Sequence, residues 1–434
     1  MGCISSQTVQ PTPWPPSSEL IMILPKRIFR SSNLFLLVSL ALLILLLHGC
    51  SAPPADKAPP GVSSLTVDLD ETLAFAAQQA RLLDQQCADS LFPRTFDQGE
   101  LKCSHSGSWT SGFFVGTLWQ LYEATGDSFF MQRALARSKH LEQEQFSTYD
   151  HDLGFKLYGS YGHGLRLTGD SAYHVPILIQ GAKSLLSRFD PRVGAIMSWD
   201  PRPERGWHYP VIIDNMMNLE YLCWATRING DSAYVRAAIS HADKTLAHHF
   251  RADHSSYHVV SYDSTTGKVD TVNTAQGFAD DSDWARGQAW GLYGYTAMFR
   301  ETHLQRYLDQ AEAIADFYLS HPNLPEDLVP YWDFDAPDSL RYRDASAAAI
   351  AASALIELSS FVSPDKKATY LNAAQTMLQS LQSGAYLAKA GENHGFLLMH
   401  SVGNLPRGKE VDVPLVYADY YLVEALLRLK ALPN

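Results

Sequence analysis

One junction recurs along this chain. Thr125-Gly126-Asp127-Ser128-Phe129, Thr168-Gly169-Asp170-Ser171-Ala172 and Asn229-Gly230-Asp231-Ser232-Ala233 each precede a stretch of helical period. A glycine that can turn left-handed ends one helix, and the Asp or Ser after it caps the next, so each copy reads as a turn between two helices. After the third copy, Val235, Ala238, Ile239, Ala242 and Leu246 fall on one face, the pattern of an amphipathic outer helix. The segments before the junctions differ. Trp109 to Glu123, Asp214 to Ala225 and Asp283 to Arg300 are apolar nearly all round, and a helix without a polar face is buried. Gly287, Gly291 and Gly294 weaken the last of these as a helix, so their presence points to close approach of neighbouring helices.

Extended along the chain, the pattern predicts inner helices near 109–123, 156–167, 214–226, 283–300, 343–359 and 413–430. Outer helices are predicted near 66–87, 127–146, 170–187, 231–249, 303–319 and 364–382. Such alternation implies an all-α fold, an (α/α)6 barrel, filling residues 65–434 as a single domain. An open helical solenoid is the alternative, but it needs polar capping repeats. The final segment, Val413 to Leu429, stays apolar and aromatic, which favours closure.

The residues ahead of the barrel read as an export leader. Lys26, Arg27 and Arg30 precede the run Leu34 to Leu47, apolar except for Ser39 and too short to span a bilayer comfortably. Leu47-His48-Gly49-Cys50 resembles a bacterial lipobox, with Cys50 the lipidated mature N-terminus. Residues 1–49 are then a signal peptide whose true start is expected at Met22, and residues 50–64 a flexible tether. Met1-Gly2-Cys3-Ile4-Ser5-Ser6 fits a myristoylation pattern, but the Pro-rich run and strong signal behind it argue against that reading. The expected location is the outer membrane or periplasm of a Gram-negative bacterium, with the membrane reached through the lipid. Export also leaves Cys87 and Cys103 free to pair, whereas Cys223 sits in an apolar run and reads as a buried thiol.

The whole chain carries a formal charge of −12, and removal of the leader leaves 31 basic and 45 acidic residues, a net of −14. No run gathers five or six basic residues, so nucleic acid is an improbable partner. Neither CxxC nor a Cys/His spacing suggests zinc, and no metal or other cofactor is expected. In a closed ring the inner helices run parallel and their N-termini converge, a geometry that favours an anionic ligand. Trp109 opens the first inner segment, Asp214 the third and Arg286 the fourth, and His151-Asp152 precedes the second. With 9 Trp and 21 Tyr available for stacking, an acidic sugar is a reasonable ligand.

Local strings add a resemblance. Tyr149-Asp150-His151-Asp152-Leu153-Gly154-Phe155, Ile213-Asp214-Asn215-Met216-Met217-Asn218-Leu219 and the string Gln276 to Gly291, with Asp283-Trp284-Ala285-Arg286-Gly287-Gln288-Ala289-Trp290 at its centre, resemble the unsaturated glucuronyl hydrolases of glycoside hydrolase family 88. Trp109-Thr110-Ser111-Gly112-Phe113 and Val411 to Tyr421 fit as well, so the resemblance covers about residues 65–430 in order. It implies an (α/α)6 barrel that removes the non-reducing 4,5-unsaturated uronate from lyase-generated oligosaccharides of glycosaminoglycan or ulvan type. In that reaction water adds across the C4=C5 double bond rather than at C1. The resemblance implies Asp214 as the general acid/base and Asp152 as the residue that holds ring hydroxyls and tunes charge. His258, Gln276 and Arg286 match positions that contact the uronate; Trp109, Trp199 and Trp290 match aromatic walls, and His151 joins them.

Each assignment has a plainer competitor. An Asp opening a helix is usually a cap, and the competing role for Asp152 is to organise a turn before Gly154. A charged Arg286 on an apolar helix needs a partner, so a structural ion pair is the competing reading. His258 lies in a predicted hairpin, Tyr257 to Val272 with its turn near Asp263 to Gly267, and alone would be a surface histidine. His241, His248, His249 and His254 suggest a metal, but the first three end an outer helix, where cationic side chains suit the dipole. Asp214 faces opposing demands: a helix N-terminus and Arg286 favour the ionised form, while proton donation requires the acid, which burial and Asp152 would favour. Rival functions are an unsaturated rhamnogalacturonyl hydrolase, an inverting glycosidase acting at C1, and a non-catalytic glycan-binding surface lipoprotein.

Overall fold

In the computed structural model, which describes residues 67–433, the repeated junctions carry the expected turn chemistry. Gly126, Gly169 and Gly230 lie at φ 69°, 70° and 75°, where a residue without Cβ avoids the left-handed penalty. Just after them, the carboxylates of Asp127, Asp170 and Asp231 accept the backbone N–H of Phe129, Tyr173 and Ala233, the bond that starts the next helix.

The described residues form α1 (Leu69–Gln86), α2 (Ser111–Thr125), α3 (Ser128–Ser138), α4 (His163–Thr168), α5 (Ser171–Leu186) and α6 (Leu219–Asn229). The second half adds α7 (Ser232–His248), α8 (Ala285–Thr302), α9 (Gln305–Ser320), α10 (Ala345–Leu358), α11 (Pro364–Leu381) and α12 (Val416–Lys430). Even-numbered helices are the inner ring. Around it, α8 packs on α10, α10 on α12, and α12 returns to α2. That last contact closes the (α/α)6 barrel and removes the solenoid alternative. Odd-numbered helices pack outside, and their one-sided burial follows the sequence pattern: in α7, Ala238 and Ala242 are fully buried.

Small antiparallel sheets decorate one end. They are β1 (Phe92–Asp97) with β2 (Glu100–Ser104), β3 (Phe189–Asp190) with β4 (Ala195–Ile196), the trio β5 (Pro210–Ile212), β6 (Val259–Tyr262) and β7 (Val269–Asn273), and β8 (Ser401–Asn404) with β9 (Lys409–Val413). The hairpin predicted over 257–272 is β6–β7, and β5 joins it as a third strand. Cys87 and Cys103 are disulfide-bonded, tying the end of α1 to β2, and Cys223 is a buried free thiol.

Several boundaries depart from the helical pattern. The outer segment expected over 127–146 ends as α-helix at Ser138 and resumes as a 3-10 turn, Glu142–Phe146. The inner segment expected from 156 begins as a π-helix, Gly154–Gly162, before α4. The third inner helix begins as a 3-10 turn, Ile213–Asn218, before α6. Trp109 precedes its helix, which starts at Ser111 after Thr110. Wide turns of the π type gather at functional sites, and this one packs against α2 through Gly112, where a Cβ would overlap the Phe155 carbonyl and lie 2.6 Å from that of Lys156. The close approach expected of the α8 glycines is clearest at Gly294, where a Cβ would sit 3.1 Å from the Met216 backbone carbon.

Candidate active site

The N-terminal ends of the inner helices do meet. The ring of Trp109, just before α2, lies 4.9 Å from that of Tyr417 in the first turn of α12, and Phe155 of the π-helix lies 5.3 Å from Trp290 of α8. Arg286, in the first turn of α8, bonds Asp344 at the N-cap of α10 at 3.0 Å.

Strand pairing brings Asp214 to His258. β5 runs directly into the 3-10 turn, and the Ile213 amide donates to the His258 carbonyl at 3.1 Å, continuing the β5–β6 ladder. His258 is therefore buried, at 3 % exposure, and not the surface histidine its local sequence suggests. Its Nδ1 accepts from the amides of Ala275 (3.2 Å) and Gln276 (3.1 Å), so the ring proton sits on Nε2. That nitrogen faces Asp214 Oδ2 at 3.7 Å.

A second imidazole repeats the arrangement at Asp152. The Gly154 amide donates to Asn218 Oδ1 at 2.8 Å, which orients the Asn218 amide so that Nδ2 donates to His151 Nδ1 at 3.3 Å. Asn215 supports Asn218 from the other side, accepting at 3.2 Å while its own Nδ2 donates to the Ile196 carbonyl at 2.9 Å. His151 consequently carries its proton on Nε2, which faces Asp152 Oδ1 at 3.4 Å. Burial pushes the His151 ring down to about 4 and the His258 ring well below its ordinary value, so both present neutral N–H groups.

The two carboxyls sit in a matching environment. Burial raises Asp214 to about 7 against the opposing pull of Arg286. Burial also raises Asp152 well above its ordinary value, reinforced by the charge of Asp150 and of Asp214 and opposed by Lys156. Asp150 is itself held by the buried Lys156 ammonium at 3.0 and 3.1 Å and accepts the Asp152 amide at 3.0 Å. The N-cap of this turn is Ile212, one residue ahead of its start, so Asp214 does not occupy the cap position, and its Oδ2 has no hydrogen-bond partner among the described residues.

Arg286 combines both sequence readings. Nη1 donates to Asp344 at 3.0 Å and to the Val402 carbonyl at 2.5 Å, and Nη2 to the Gly403 carbonyl at 2.9 Å, so most of the guanidinium is structural. Only Nε lacks a partner. Gln276 donates its Nε2 to the same Gly403 carbonyl at 3.0 Å, leaving its carbonyl oxygen available. Trp199 is half-buried 6.1 Å from His258, and Trp290 is fully buried with an unpartnered Nε1. Trp109, Trp290 and Trp199 thus bound the region around the two acids. Cys50 lies outside the described residues.

The description Glycosyl Hydrolase Family 88 matches residues 86–422. The chain belongs to glycosyl hydrolase family 88. An unsaturated glucuronyl hydrolase of Formosa agariphila is 49 % identical over 324 residues, covering 74 % of this chain and 80 % of that protein. An unsaturated chondroitin disaccharide hydrolase of Streptococcus pyogenes is 34 % identical over 371 residues, covering 83 % and 91 %. The crystal structure of an unsaturated glucuronyl hydrolase specific for heparin superposes with a TM-score of 0.81 at 45 % identity, covering 84 % of this chain and 98 % of that one.

This family-88 glycosidase contains functional neighbours that sequence reasoning passed over. Asp344, the partner of Arg286, was signalled only as an Asp ahead of the alanine-rich run of α10. Asn215 and Asn218 lie in the segment Ile213 to Leu219, yet the role of Asn218 depends on contacts over more than sixty residues of chain, and that of Asn215 on its bond to Ile196. The α7 histidines require correction. His241 Nδ1 accepts the Ile196 amide at 2.9 Å and His249 Nε2 donates to the Val211 carbonyl at 3.1 Å. Both are fully buried, and burial lowers His241 well below its usual value and His249 to about 4, so they are neutral struts under the site rather than cations on the helix dipole. Among the described residues, Asp283, His321 and Asp335 bring ligand-type atoms within 4.8 Å of one another. Asp283 is already neutralised by Arg251 at 2.6 Å, and the mechanism draws on none of the three.

Proposed function

We propose that this glycosidase hydrates the C4=C5 bond of a non-reducing 4,5-unsaturated uronate on lyase-generated oligosaccharides of glycosaminoglycan or ulvan type. The observation that carries the reading is Asp214: a buried carboxyl, unpartnered at Oδ2, raised to about 7 and faced by a neutral imidazole N–H. Such a group is present in both protonation states near neutral pH, as one residue serving as acid and then base requires.

Protonated Asp214 delivers its proton to C4, and the electron pair of the double bond forms the new C–H bond. Water adds its oxygen to the electron-poor C5 and yields a proton to the Asp214 carboxylate, which restores the acid. The product is a hemiketal at C5, which opens and releases the aglycone. The neutral His258 N–H stabilises the carboxylate between the two steps without holding it permanently ionised. Asp152, oriented by His151, holds ring hydroxyls. Trp109, Trp199 and Trp290 form aromatic walls. The uronate carboxylate is met by Arg286 through its charge and free Nε, by Gln276 and by His258. Because C1 is not attacked, no second carboxylate placed across C1 is needed.

Relatives named for heparin and for chondroitin disaccharides favour the glycosaminoglycan class. Incubation with unsaturated products of chondroitin, hyaluronan, heparin, ulvan, alginate and rhamnogalacturonan lyases, followed by ultraviolet absorbance of the double bond, tests the reading. Loss of absorbance with release of a reducing sugar is expected for at least one glycosaminoglycan or ulvan product. No change across that panel would refute it, and turnover confined to rhamnogalacturonan-derived ends would move the enzyme to the rival substrate.

For the exported form, the basic and apolar leader ahead of Leu47-His48-Gly49-Cys50 supports cleavage before Cys50, lipidation of that thiol and a tether over 51–64 leading into the catalytic domain. Cys50→Ala is expected to leave the leader uncleaved or to release the protein from membranes. Unchanged fractionation and mass would contradict the anchor.

A further inference from the structure

The side chains assigned to the uronate are held in place by backbone that belongs to a distant hairpin. Arg286 donates to the carbonyls of Val402 and Gly403, and Gln276 donates to that of Gly403. The β8–β9 hairpin, together with Asp344 in the case of Arg286, therefore sets where both side chains sit, and its own share is made through main-chain oxygens.

The hairpin is strained where it reaches back across the molecule. Glu410 adopts φ 55°, with His400 at 61° and Asp412 at 58°, a conformation costing roughly 1–2 kcal/mol at a residue other than glycine. From it, the Glu410 side chain crosses directly over Gly403. A Cβ on Gly403 would lie 2.7 Å from the Glu410 Cβ and overlap its carboxylate. The carboxylate then meets Arg94 of β1 in a two-point pair, Nε to Oε1 and Nη2 to Oε2 at 3.0 Å. The Glu410 side chain is 11 % exposed and that of Arg94 33 %, so the pair is largely sheltered from solvent screening. Local strain that surrounding contacts maintain marks segments under functional constraint. The hairpin has other moorings, including Thr95 Oγ1 to the Pro414 carbonyl at 2.6 Å and the Ser346 amide to Ser401 Oγ at 3.2 Å. Loss of the Arg94–Glu410 pair can thus shift its tip without detaching it.

We propose that Arg94 and Glu410 are positioning residues for substrate recognition: their pair holds β8–β9 in the register from which the Val402 and Gly403 carbonyls aim Arg286 and Gln276 at the uronate. This rests on the assignment of Arg286 and Gln276 as uronate contacts. A pair that merely stabilises the barrel would alter melting and leave substrate affinity alone. A pair that positions these contacts alters KM, because the ground-state uronate is already held by them, and leaves the Asp214 chemistry and hence kcat nearly intact.

The test is steady-state kinetics on the full chain with an unsaturated disaccharide that it turns over, alongside melting curves, for Arg94→Gln, Glu410→Gln, the double variant, Gln276→Ala and Lys102→Gln. The last removes a 2.8 Å ion pair to Asp97 from the same β1–β2 hairpin and serves as the control. Expected are a KM raised about 3- to 10-fold in each clamp variant, with the double variant no worse than the poorer single one, since coupled residues are not additive. Also expected are kcat within about twofold of wild type, a raised KM for Gln276→Ala and an unchanged KM for Lys102→Gln. If Glu410→Gln does not fold, Arg94→Lys keeps the charge but loses the fork geometry and should show the same KM effect. Unchanged KM in the clamp variants, with Gln276→Ala raised, overturns the clamp and leaves the uronate contacts standing. Raised KM in the clamp variants with Gln276→Ala unchanged overturns the route through Gln276 and, with it, the proposal.

Discussion

Replacement of Asp214 by Asn separates chemistry from folding, and the structure supplies the size of both effects. The carboxyl moves from an ordinary 3.8 to about 7 on folding, roughly 4 kcal/mol in favour of the protonated form. A group whose folded value is raised contributes stability fully below its unfolded value and loses that contribution as pH rises through the folded one. The window is therefore from about 4 to about 7. Between pH 5 and pH 8 the wild-type protein should lose about 2–3 kcal/mol at this site, a loss that Asn, with nothing to ionise, does not suffer. Urea midpoints measured at both pH values should diverge accordingly, the variant becoming relatively more stable at pH 8. Turnover should fall by about ten-thousandfold or more, at or beyond the upper end for loss of one acid/base group, because both steps use it. In the wild type, kcat should decline above about pH 7 as the acid form is lost. Parallel pH dependence of stability in the two proteins would show that the carboxyl is not held protonated. Near-normal turnover in the variant would show that the catalytic acid lies elsewhere.

Two further substitutions probe the scaffold of the site. Asn218→Asp keeps an acceptor for the Gly154 amide but removes the donor to His151 Nδ1, so the His151 proton should move to Nδ1, and nitrogen-detected NMR of the ring should show it. Turnover should fall by about tenfold, the value of one lost hydrogen bond, whereas an unaltered ring tautomer would refute the Asn218 assignment. Gly112→Ala places a methyl group against the Phe155 and Lys156 carbonyls and should cost about 1–3 kcal/mol, as overpacking does; an unchanged denaturation midpoint would show that the π-helix can shift away.

The fold was legible because its information is local and repeated. A glycine at φ near 70° followed by a capping Asp is chemistry confined to five residues, and three copies reveal the period. The helix types at the inner starts were not legible. The π-turn at Gly154 depends on Gly112 letting one backbone come close, and Gly112 lies over forty residues earlier in the chain. The same distinction runs through the site. Asp214, Asp152 and Arg286 stood out as charges in apolar company. The tautomers of His151 and His258 depend instead on the side chain of Asn218 and on the amides of Ala275 and Gln276, which no short motif connects to them. Burial also reversed the reading of His241 and His249, whose helical position suggested cations and whose surroundings keep them neutral.

The opposing demands on Asp214 are resolved by where the charge of Arg286 is already spent. An uncompensated guanidinium beside a buried carboxyl would hold it ionised and useless as an acid. Arg286 instead gives Nη1 to Asp344 and to Val402 and Nη2 to Gly403 before it meets any ligand, so its field at Asp214 is partly balanced and burial prevails. The groups aimed at Asp214 and Asp152 are imidazoles fixed as neutral donors, which can stabilise a transient carboxylate without imposing a permanent one. Removing Asp344 by substitution with Asn would therefore reach Asp214 electrostatically: with its counter-charge gone, Arg286 should pull the Asp214 carboxyl down from about 7. The alkaline limb of kcat should then shift to lower pH. A limb that stays in place while the variant remains folded would show that Asp344 is a structural partner only.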